Sequence, residues 1–178
     1  MPSIDMPLED LRGYRPPLTR PEDFDAYWSE ALAAAKAQPL SPNVSPCRYP
    51  AEGVELSDVR LAGFGGGTIT CKLMKPIGRT NLPAIVFYHG YSGSGPTPFQ
   101  LLPWACQGYA ALGVDCRGQG GDATDGAVYP GGHRPGFMTQ GIEDPHHYYY
   151  RYVYLDSVRA LEWMAGQPFV NPERIGIT

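Results

Sequence analysis

The first predicted element is a helix near the N-terminus, in which apolar and aromatic residues recur at helical spacing. Its apolar face consists of Phe24, Tyr27, Trp28, Ala31, Leu32 and Ala35. Thr19 and Glu22 precede this face at capping-box spacing, and Pro21 suits the first turn of a helix. We therefore predict a helical extension within residues 1–40 whose aromatic face packs on the body of the protein.

The spacing of apolar residues changes from helical to strand-like at residue 54. Apolar and polar residues alternate through residues 54–61 and again through residues 68–75. Three consecutive glycines, Gly65 to Gly67, separate the two segments and permit the positive φ angles of a tight reversal. The pattern predicts an antiparallel hairpin. Phosphate binding by the glycines is disfavoured, because they are followed neither by a P-loop lysine nor by a helix.

Two continuous apolar runs follow, at residues 84–88 and 109–114, and such runs are typical of strands covered on both faces. Helices are predicted at residues 99–106 and 148–165, and a last buried strand at residues 174–178. The order hairpin, strand, helix, strand, helix, strand indicates an α/β fold, because strand–helix–strand units form right-handed parallel crossovers.

A chain of 178 residues is long enough for one domain with a buried core, and the predicted elements do not require a second domain. We predict a single, incomplete α/β domain over residues 1–178, with a mostly parallel, doubly wound sheet after the antiparallel hairpin. Residues 54–178 would supply the first five strands and their connecting helices, and the chain ends at the fifth strand.

Composition narrows the classes of function. A net charge of −4 gives no general attraction for nucleic acid or for an anionic membrane surface. No apolar run is long enough to span a membrane and the first residues show no secretory signal, so we expect a cytoplasmic protein. Cys47, Cys71, Cys106 and Cys116 are widely spaced and form no CxxC pair, which favours free buried thiols over disulfides or a zinc site.

The loop that leaves the third predicted strand carries the first motif with a chemical interpretation. It reads Tyr88-His89-Gly90-Tyr91-Ser92-Gly93. In α/β-hydrolases the corresponding loop supplies one of the two backbone N–H groups of the oxyanion hole. Glycines suit this place, because a backbone amide must come close to an oxygen that becomes negatively charged. An ordinary strand-to-helix turn explains the His-Gly pair equally well, so both interpretations stay open.

A second motif follows the fourth predicted strand, where residues 115–120 read Asp-Cys-Arg-Gly-Gln-Gly. An Asp-x-Arg-Gly-x-Gly pattern after this strand is frequent in α/β-hydrolases. We predict a structural role for Arg117, because a guanidinium with five fixed donors can join loop carbonyls or a carboxylate beneath a site. A solvated surface charge is the alternative interpretation.

The histidines and serines give weaker indications of function. The histidines lack the helical spacing with a neighbouring acid that indicates zinc, so we predict no metal. His146 and His147 are predicted to cap and pack the start of the following helix. Ser92 and Ser94 do not lie in a Gly-x-Ser-x-Gly elbow between a strand and a helix, so neither is predicted to be a nucleophile.

Taken together, ordered blocks along the whole chain resemble the acetyl xylan esterase / cephalosporin-C deacetylase family, carbohydrate esterase family 7, on the α/β-hydrolase fold. The blocks are Asp5–Leu8, Tyr14–Pro16, the helix from Asp23 to Trp28, Gly90-Tyr91, Arg117–Gly120, Pro135–Thr139, Gly141–Pro145 and Tyr148–Arg151. The family signature has an Arg-Gly-Gln motif, a Gly-x-Ser-Gln-Gly elbow and a His-Glu pair, and only the first is present here, at residues 117–119.

The resemblance implies a serine esterase that removes acetyl groups from acetylated xylo-oligosaccharides or cephalosporin C through an acetyl-enzyme. It implies no cofactor, no nucleic-acid or membrane partner, a cytoplasmic location and a homo-oligomer, typically a hexamer. By resemblance, Tyr91 would supply an oxyanion-hole N–H and line the acetyl pocket, with Gly90, Arg117, Gly118 and Gln119 supporting the site.

The resemblance also places the serine, aspartate and histidine of the triad beyond Thr178, in a C-terminal remainder of the enzyme. Residues 1–178 alone are therefore expected to be inactive. Two alternatives stay open at this point: a non-catalytic binding or interaction fragment of an α/β-hydrolase, and a different α/β-hydrolase esterase. The obstacle to a free-standing fragment is the last strand, which would expose an apolar edge.

Overall fold

A computed structural model describes residues 5–178, so residues 1–4 of the predicted extension lie outside the described residues. The helices are α1 (Leu8–Gly13), α2 (Phe24–Ala37), α3 (Pro98–Cys106) and α4 (Tyr149–Ala165). The strands are β1 (Asn43–Cys47), β2 (Val54–Ala62), β3 (Gly67–Pro76), β4 (Leu82–Tyr88), β5 (Ala110–Val114), β6 (Thr124–Asp125) and β7 (Val170–Ile177).

The strands of the described residues form one seven-stranded mixed sheet in the order β1-β2-β3-β5-β4-β7, with β6 beside β3. Parallel pairing joins β4 to β5 and β4 to β7, whereas the other pairs are antiparallel. The expectation of a mostly parallel sheet is therefore correct only for the half that contains β4, β5 and β7.

The five predicted strands are present, and two further strands bring the number above the prediction. β1 is exposed at four of its five positions and contains Pro46, so it lacks the apolar alternation that marks a strand. β6 has two residues and pairs only with the start of β3. The last strand begins at Val170 instead of Arg174, since Asn171 and Pro172 belong to the strand and do not form a turn before it. The prediction that this strand is buried is wrong, because it lies at the edge of the sheet and only Val170 is buried.

Both faces of the sheet are covered at β4 and β5, which is why these two strands are apolar throughout. On one face α4 contributes Trp163 and Met164 to a core that includes Cys71 and Leu73. On the other face α3 contributes Leu101 and Ala105, which pack with Met74 and other residues of β2 and β5. Adjacent residues of β3 thus serve opposite layers, as the period of a strand requires.

The N-terminal helix packs on the body of the protein as predicted, but it begins later than its predicted cap. Ala31 and Ala35 of α2 are buried against Leu155 of α4. The helix starts at Phe24 with Asp23 as its N-cap, and no side chain caps it. The predicted cap at Thr19 is wrong because a turn through Pro21 precedes the first helical residue.

No helix within residues 5–178 combines the length and the apolar character that crossing a bilayer requires. All four cysteines are free, in agreement with the prediction. Only Cys71 is buried, however, and Cys106 is exposed at the end of α3, because its position on the helix faces away from the sheet. Burial raises the pKa of the Cys71 thiol and raises the pKa of Cys116 to about 11.

These differences predict the order in which the thiols react. At pH 8 we expect iodoacetamide to modify Cys106 first in the native protein, because the thiolate is the nucleophile and Cys106 is exposed. Cys71 and Cys116 are expected to react only after denaturation. Peptide mass mapping of a labelling time course measures this, and Cys106→Ser is the control that removes the fast reaction. Fast labelling of Cys71 in native protein would contradict the burial described here.

Candidate functional site

The loops that follow β4 and β5 meet at one edge of the sheet, because these two strands are parallel neighbours. The His89 ring joins the loops: Nε2 accepts from the Cys116 N–H at 2.9 Å, and Nδ1 lies 2.8 Å from the Gly90 carbonyl oxygen. Because Nε2 accepts a hydrogen bond and Nδ1 faces a carbonyl oxygen, we assign the ring proton to Nδ1. The Gly120 N–H donates to the Gly93 carbonyl at 2.8 Å, which closes a second contact between the loops.

The side chain of Gln119 holds the loop after β4 in a strained conformation. Ser92 has a φ of 59°, a left-handed value that is uncommon for a residue other than glycine. Its N–H donates to Gln119 Oε1 at 2.7 Å. The Gln119 Nε2 group donates to the Tyr149 hydroxyl at 3.0 Å, and that hydroxyl donates to the Arg117 carbonyl at 2.5 Å. Burial raises the pKa of Tyr149, so its hydroxyl stays protonated for this bond.

The Arg117 side chain lies beneath these loops and is fully enclosed, with 1% of its surface exposed. Its Nε and Nη2 atoms donate to Asp156 Oδ2 at 2.8 and 2.6 Å. Nη2 also donates to the Phe64 carbonyl at 2.9 Å, and Nη1 reaches Asp125 Oδ1 at 3.3 Å. The guanidinium carbon lies 4.9 Å from the ring centre of Tyr152. The surface-charge alternative for Arg117 is therefore wrong.

The Arg117–Asp156 pair connects three parts of the chain. Asp156 belongs to α4, and its second oxygen accepts from the Phe64 N–H at 2.7 Å, in the turn of the β2–β3 hairpin. Burial raises the pKa of Asp156, and the charge of Arg117 opposes that rise. Gly118, the next residue, has a φ of 62°, and an added Cβ would come within 3.2 Å of the Asp125 side chain. The loop after β5 therefore needs a glycine at position 118, next to the fully bonded side chain of Arg117.

Tyr91 lies at the open side of this arrangement, with 54% of its surface exposed. Its hydroxyl accepts from the Phe137 N–H at 3.2 Å, and the two rings meet edge to face at 5.5 Å. The ring of Phe137 stacks on Tyr149 at 5.1 Å, so one aromatic row runs from the surface to the buried Tyr149, which contacts Gln119. A cavity of about 620 Å³ opens beside this row. Its lining includes Tyr91, Ser92, Gly118, Asp125, Tyr129, Arg134, Phe137 and Tyr149.

Open space lies beside the backbone of Gly90, the residue before Tyr91. An added Cβ at Gly90 would meet no atom within 4 Å, whereas one at Gly93 would lie 3.0 Å from the Gly90 carbonyl oxygen. The Ser92 and Gly93 amides have acceptors, in Gln119 and Gly90. Within residues 5–178 the Tyr91 amide donates to no acceptor. This N–H can therefore donate to an oxygen brought by a ligand, which is what an oxyanion hole requires.

The histidines at the start of α4 have structural contacts. His147 Nδ1 lies 2.6 Å from Asp144 Oδ2, and the ring of His146 packs on Tyr27 at 5.5 Å. The bond to His147 lowers the pKa of Asp144. Among residues 5–178 no three histidine, cysteine, aspartate or glutamate side chains come together as a metal site would require. The absence of a cofactor from the activity stays a prediction.

Sequence reasoning brought Gly90, Tyr91 and Arg117 to one place but missed the partners that hold them. Tyr149 and Asp156 were not predicted to contact the site, although both lie on the buried face of α4. Asp156 could have been predicted to have a cationic partner, because a carboxylate on the apolar face of a helix needs a buried cation. The contact of Phe137 with the site could not have been predicted, because this residue lies in a loop whose sequence has no periodic pattern.

Comparison with known proteins shows which family the chain is similar to. A family model described as acetyl xylan esterase (AXE1) matches residues 1–178. The acetyl xylan esterase from Paenibacillus sp. R4 is 43% identical and superposes with a TM-score of 0.91, over 97% of this chain and 56% of that enzyme. Acetyl xylan esterase 1 from Thermoanaerobacterium sp. JW/SL YS485 is 29% identical, with a TM-score of 0.89 over 97% of this chain and 55% of that one.

A curated relative, the acetyl esterase Axe7A of Xylanibacter ruminicola, is 23% identical over 160 residues, which are 86% of this chain and 36% of that protein. The chain thus spans a little over half the length of the two solved enzymes and about a third of the curated relative. The similarity to the solved enzymes, together with the mixed sheet and its helices, confirms the α/β-hydrolase fold.

Proposed function

The chain belongs to the acetyl xylan esterase family, and on that basis we propose that the complete protein is a serine carboxylesterase acting on O-acetyl groups. Its substrates would be acetylated xylo-oligosaccharides, cephalosporin C or both. The observation that carries the proposal is the Tyr91 amide, which has no acceptor within residues 5–178 and lies beside an open Gly90. A carbonyl oxygen of the ester can accept from this N–H as it becomes negatively charged.

The proposed mechanism is acyl transfer. A serine attacks the acetyl carbonyl with a histidine as base, an acetyl-enzyme forms with loss of the sugar alcohol, and water then releases acetate. Tyr91 would donate one backbone N–H to the tetrahedral oxyanion, and its ring would line the acetyl pocket. Gly90, Arg117, Gly118 and Gln119 would hold that N–H in position and touch no reacting atom.

The proposal assigns the serine, histidine and aspartate of the triad to residues other than 1–178. It is supported by the engagement of His89, whose two ring nitrogens already have partners, so this ring is not a base for Ser92 or Ser94. Residues 1–178 alone are accordingly proposed to be inactive. The hexamer comes from the resemblance, and the cytoplasmic location and the absence of nucleic-acid or membrane partners come from the resemblance and from the composition; all of them remain predictions.

The direct test is hydrolysis of p-nitrophenyl acetate by the complete protein, with and without a serine-trapping fluorophosphonate. We expect activity that the inhibitor abolishes, and mass spectrometry of a quenched reaction should detect an acetyl group on the protein. Acetylated xylo-oligosaccharides and cephalosporin C, assayed separately by acetate release, distinguish the two substrates. Absence of esterase activity, or activity that the inhibitor leaves unchanged, would refute the proposal.

Gln119 provides a prediction about positioning. Gln119→Met removes the acceptor for the Ser92 N–H and the donor to the Tyr149 hydroxyl. In the complete protein we expect kcat for p-nitrophenyl acetate to fall about 10- to 100-fold with KM nearly unchanged, because a small displacement of a donor weakens transition-state binding most. Gln107→Met, at an exposed residue after α3, is the matched control. A loss confined to KM would contradict the positioning role.

A further inference from the structure

A second cavity, of about 560 Å³, lies between the start of α2 and the start of α4. Its walls are mostly aromatic, and its lining includes Tyr27, Trp28, Tyr148, Tyr150, Arg151 and Tyr154. It shares no lining residue with the cavity beside Tyr91. A cavity of this size with apolar walls and a single buried cation has the properties of a small-molecule site.

The cation in this cavity, Arg151, is incompletely bonded. It is only 9% exposed, so more than nine-tenths of its surface is buried. Its Nη1 donates to the His146 carbonyl at 3.2 Å, and its buried Nε has no partner among the described residues. The guanidinium carbon lies 5.7 Å from the ring centre of Tyr27 and 5.5 Å from that of Phe64. Aromatic faces partly offset the charge, but they accept no ordinary hydrogen bond from Nε.

The other two fully buried guanidinium groups show what complete bonding looks like in this protein. Arg117 has the Asp156 carboxylate, and Arg159 donates to the carbonyls of Gln38, Pro39 and Ala62 at 2.9–3.2 Å as well as to that of Ala35. No ion pair to Arg151 occurs within residues 5–178. A buried charge without a counter-ion is costly, which makes Arg151 a strong attractor for an anion.

The acidic groups around this cavity do not satisfy Arg151. Asp144 is already engaged, since it accepts from His147 Nδ1 at 2.6 Å and from the His146 N–H at 2.8 Å. Asp23 lines the rim and is exposed to solvent. The Tyr27 hydroxyl donates to the Pro145 carbonyl and can still accept from Arg151, but it brings no negative charge. Burial raises the pKa of Tyr27, and the charge of Arg151 and a hydrogen bond from its side chain oppose this rise. A cationic ligand would be repelled by Arg151, and the aromatic walls favour a flat or ring-shaped ligand.

We propose that this cavity binds a carboxylate carried on a six-membered ring, with Arg151 donating to the carboxylate and the rings of Trp28 and Tyr154 contacting the ring faces. Trp28 and Tyr154 meet edge to face at 5.9 Å and belong to α2 and α4, so the two helices share the ligand. The chemistry fits two sources, a uronic acid sugar and an aromatic acid. The site does not depend on the esterase proposal.

Binding to the complete protein tests this proposal. Glucuronate and 4-hydroxybenzoate are titrated by calorimetry and by saturation-transfer NMR, with glucose and 4-hydroxybenzyl alcohol as the neutral counterparts. We expect an acid to bind at least about tenfold more tightly than its neutral counterpart, as a charge-assisted hydrogen bond requires. The acid that binds more tightly identifies the source. Equal or absent binding of acids and neutral counterparts overturns the proposal.

Two variants distinguish a binding role from a structural one. Arg151→Met should reduce acid binding at least about tenfold, whereas Arg174→Met, at an exposed arginine of β7, should leave it unchanged. The melting temperature of Arg151→Met should not fall, because the substitution removes a buried charge that lacks a carboxylate partner. Should that variant fail to fold, Tyr154→Ala at a residue that is 58% exposed provides the second measurement, with weaker acid binding expected. Unchanged acid binding in either variant overturns the proposal.

Discussion

Replacing Arg117 by methionine is expected to lower the free energy of unfolding by about 3–5 kcal/mol. The substitution removes the bonds from Nε and Nη2 to Asp156 and leaves that carboxylate buried without a cation. It also releases the Phe64 carbonyl and therefore loosens the β2–β3 turn. Urea denaturation followed by circular dichroism measures the change. Arg60→Met, at an exposed arginine of β2, is the control and should change the free energy of unfolding little.

The loss in Arg117→Met should depend on pH with a definite sign. Burial raises the pKa of Asp156, and without Arg117 only the Phe64 N–H and the more weakly acting charge of Arg159 oppose this rise. A raised folded pKa gives a contribution to stability that is present below the unfolded pKa of about 4 and is lost as the pH rises through the folded pKa. The difference from the wild-type protein should therefore be largest near pH 7 and should shrink at acidic pH.

A double variant completes this test. Arg117→Met combined with Asp156→Leu should recover much of the stability, because replacing both members of a buried ion pair by apolar groups is often nearly neutral. A loss below about 1 kcal/mol for Arg117→Met, or no recovery in the double variant, would contradict the description of this pair as the main bond between the loop after β5 and α4.

The second large effect is expected at Gly141, where alanine should cost about 2–4 kcal/mol. Gly141 has a φ of 72°, and an added Cβ would lie 2.1 Å from the His147 carbonyl oxygen and 3.0 Å from the Tyr129 ring. The clash is with backbone, which cannot move without displacing the start of α4, where the Tyr149 N–H donates to the Gln140 carbonyl at 3.0 Å. The expected damage therefore extends to the Tyr149–Gln119 contact at the candidate site.

The chain contains a closely matched control for this substitution. Gly132 has a φ of 73°, and an added Cβ there would meet no atom within 4 Å. Gly132→Ala measures the cost of a left-handed alanine alone, about 1–2 kcal/mol. The difference between the two variants in urea denaturation isolates the clash. Equal losses in the two variants would show that the His147 carbonyl is not a rigid neighbour.

Most of the fold was predictable because its central strands and helices have local patterns. In the β2–β3 hairpin, β2 begins at the predicted residue and the other three strand ends extend one residue beyond the prediction, and α4 begins one residue later than predicted. The predictions failed where the local pattern is weak. β1 is almost wholly exposed and β6 has only two residues, while the start of α2 depends on a turn at Pro21. Where burial does not impose a period, apolar spacing carries no signal.

Local patterns in the sequence were enough to predict the family, the order of the central elements and the two loops that carry Gly90-Tyr91 and Arg117. The contacts of those loops could not be predicted, because they depend on how distant segments pack. Arg117 and Asp156 are 39 residues apart, and Ser92 and Gln119 are 27 apart. Their contacts require β4 beside β5 and α4 across both, and this packing is a property of the whole sheet and not of any segment. The same packing buries Arg151, which has no ion pair among residues 5–178, and its position in a helical pattern did not indicate this.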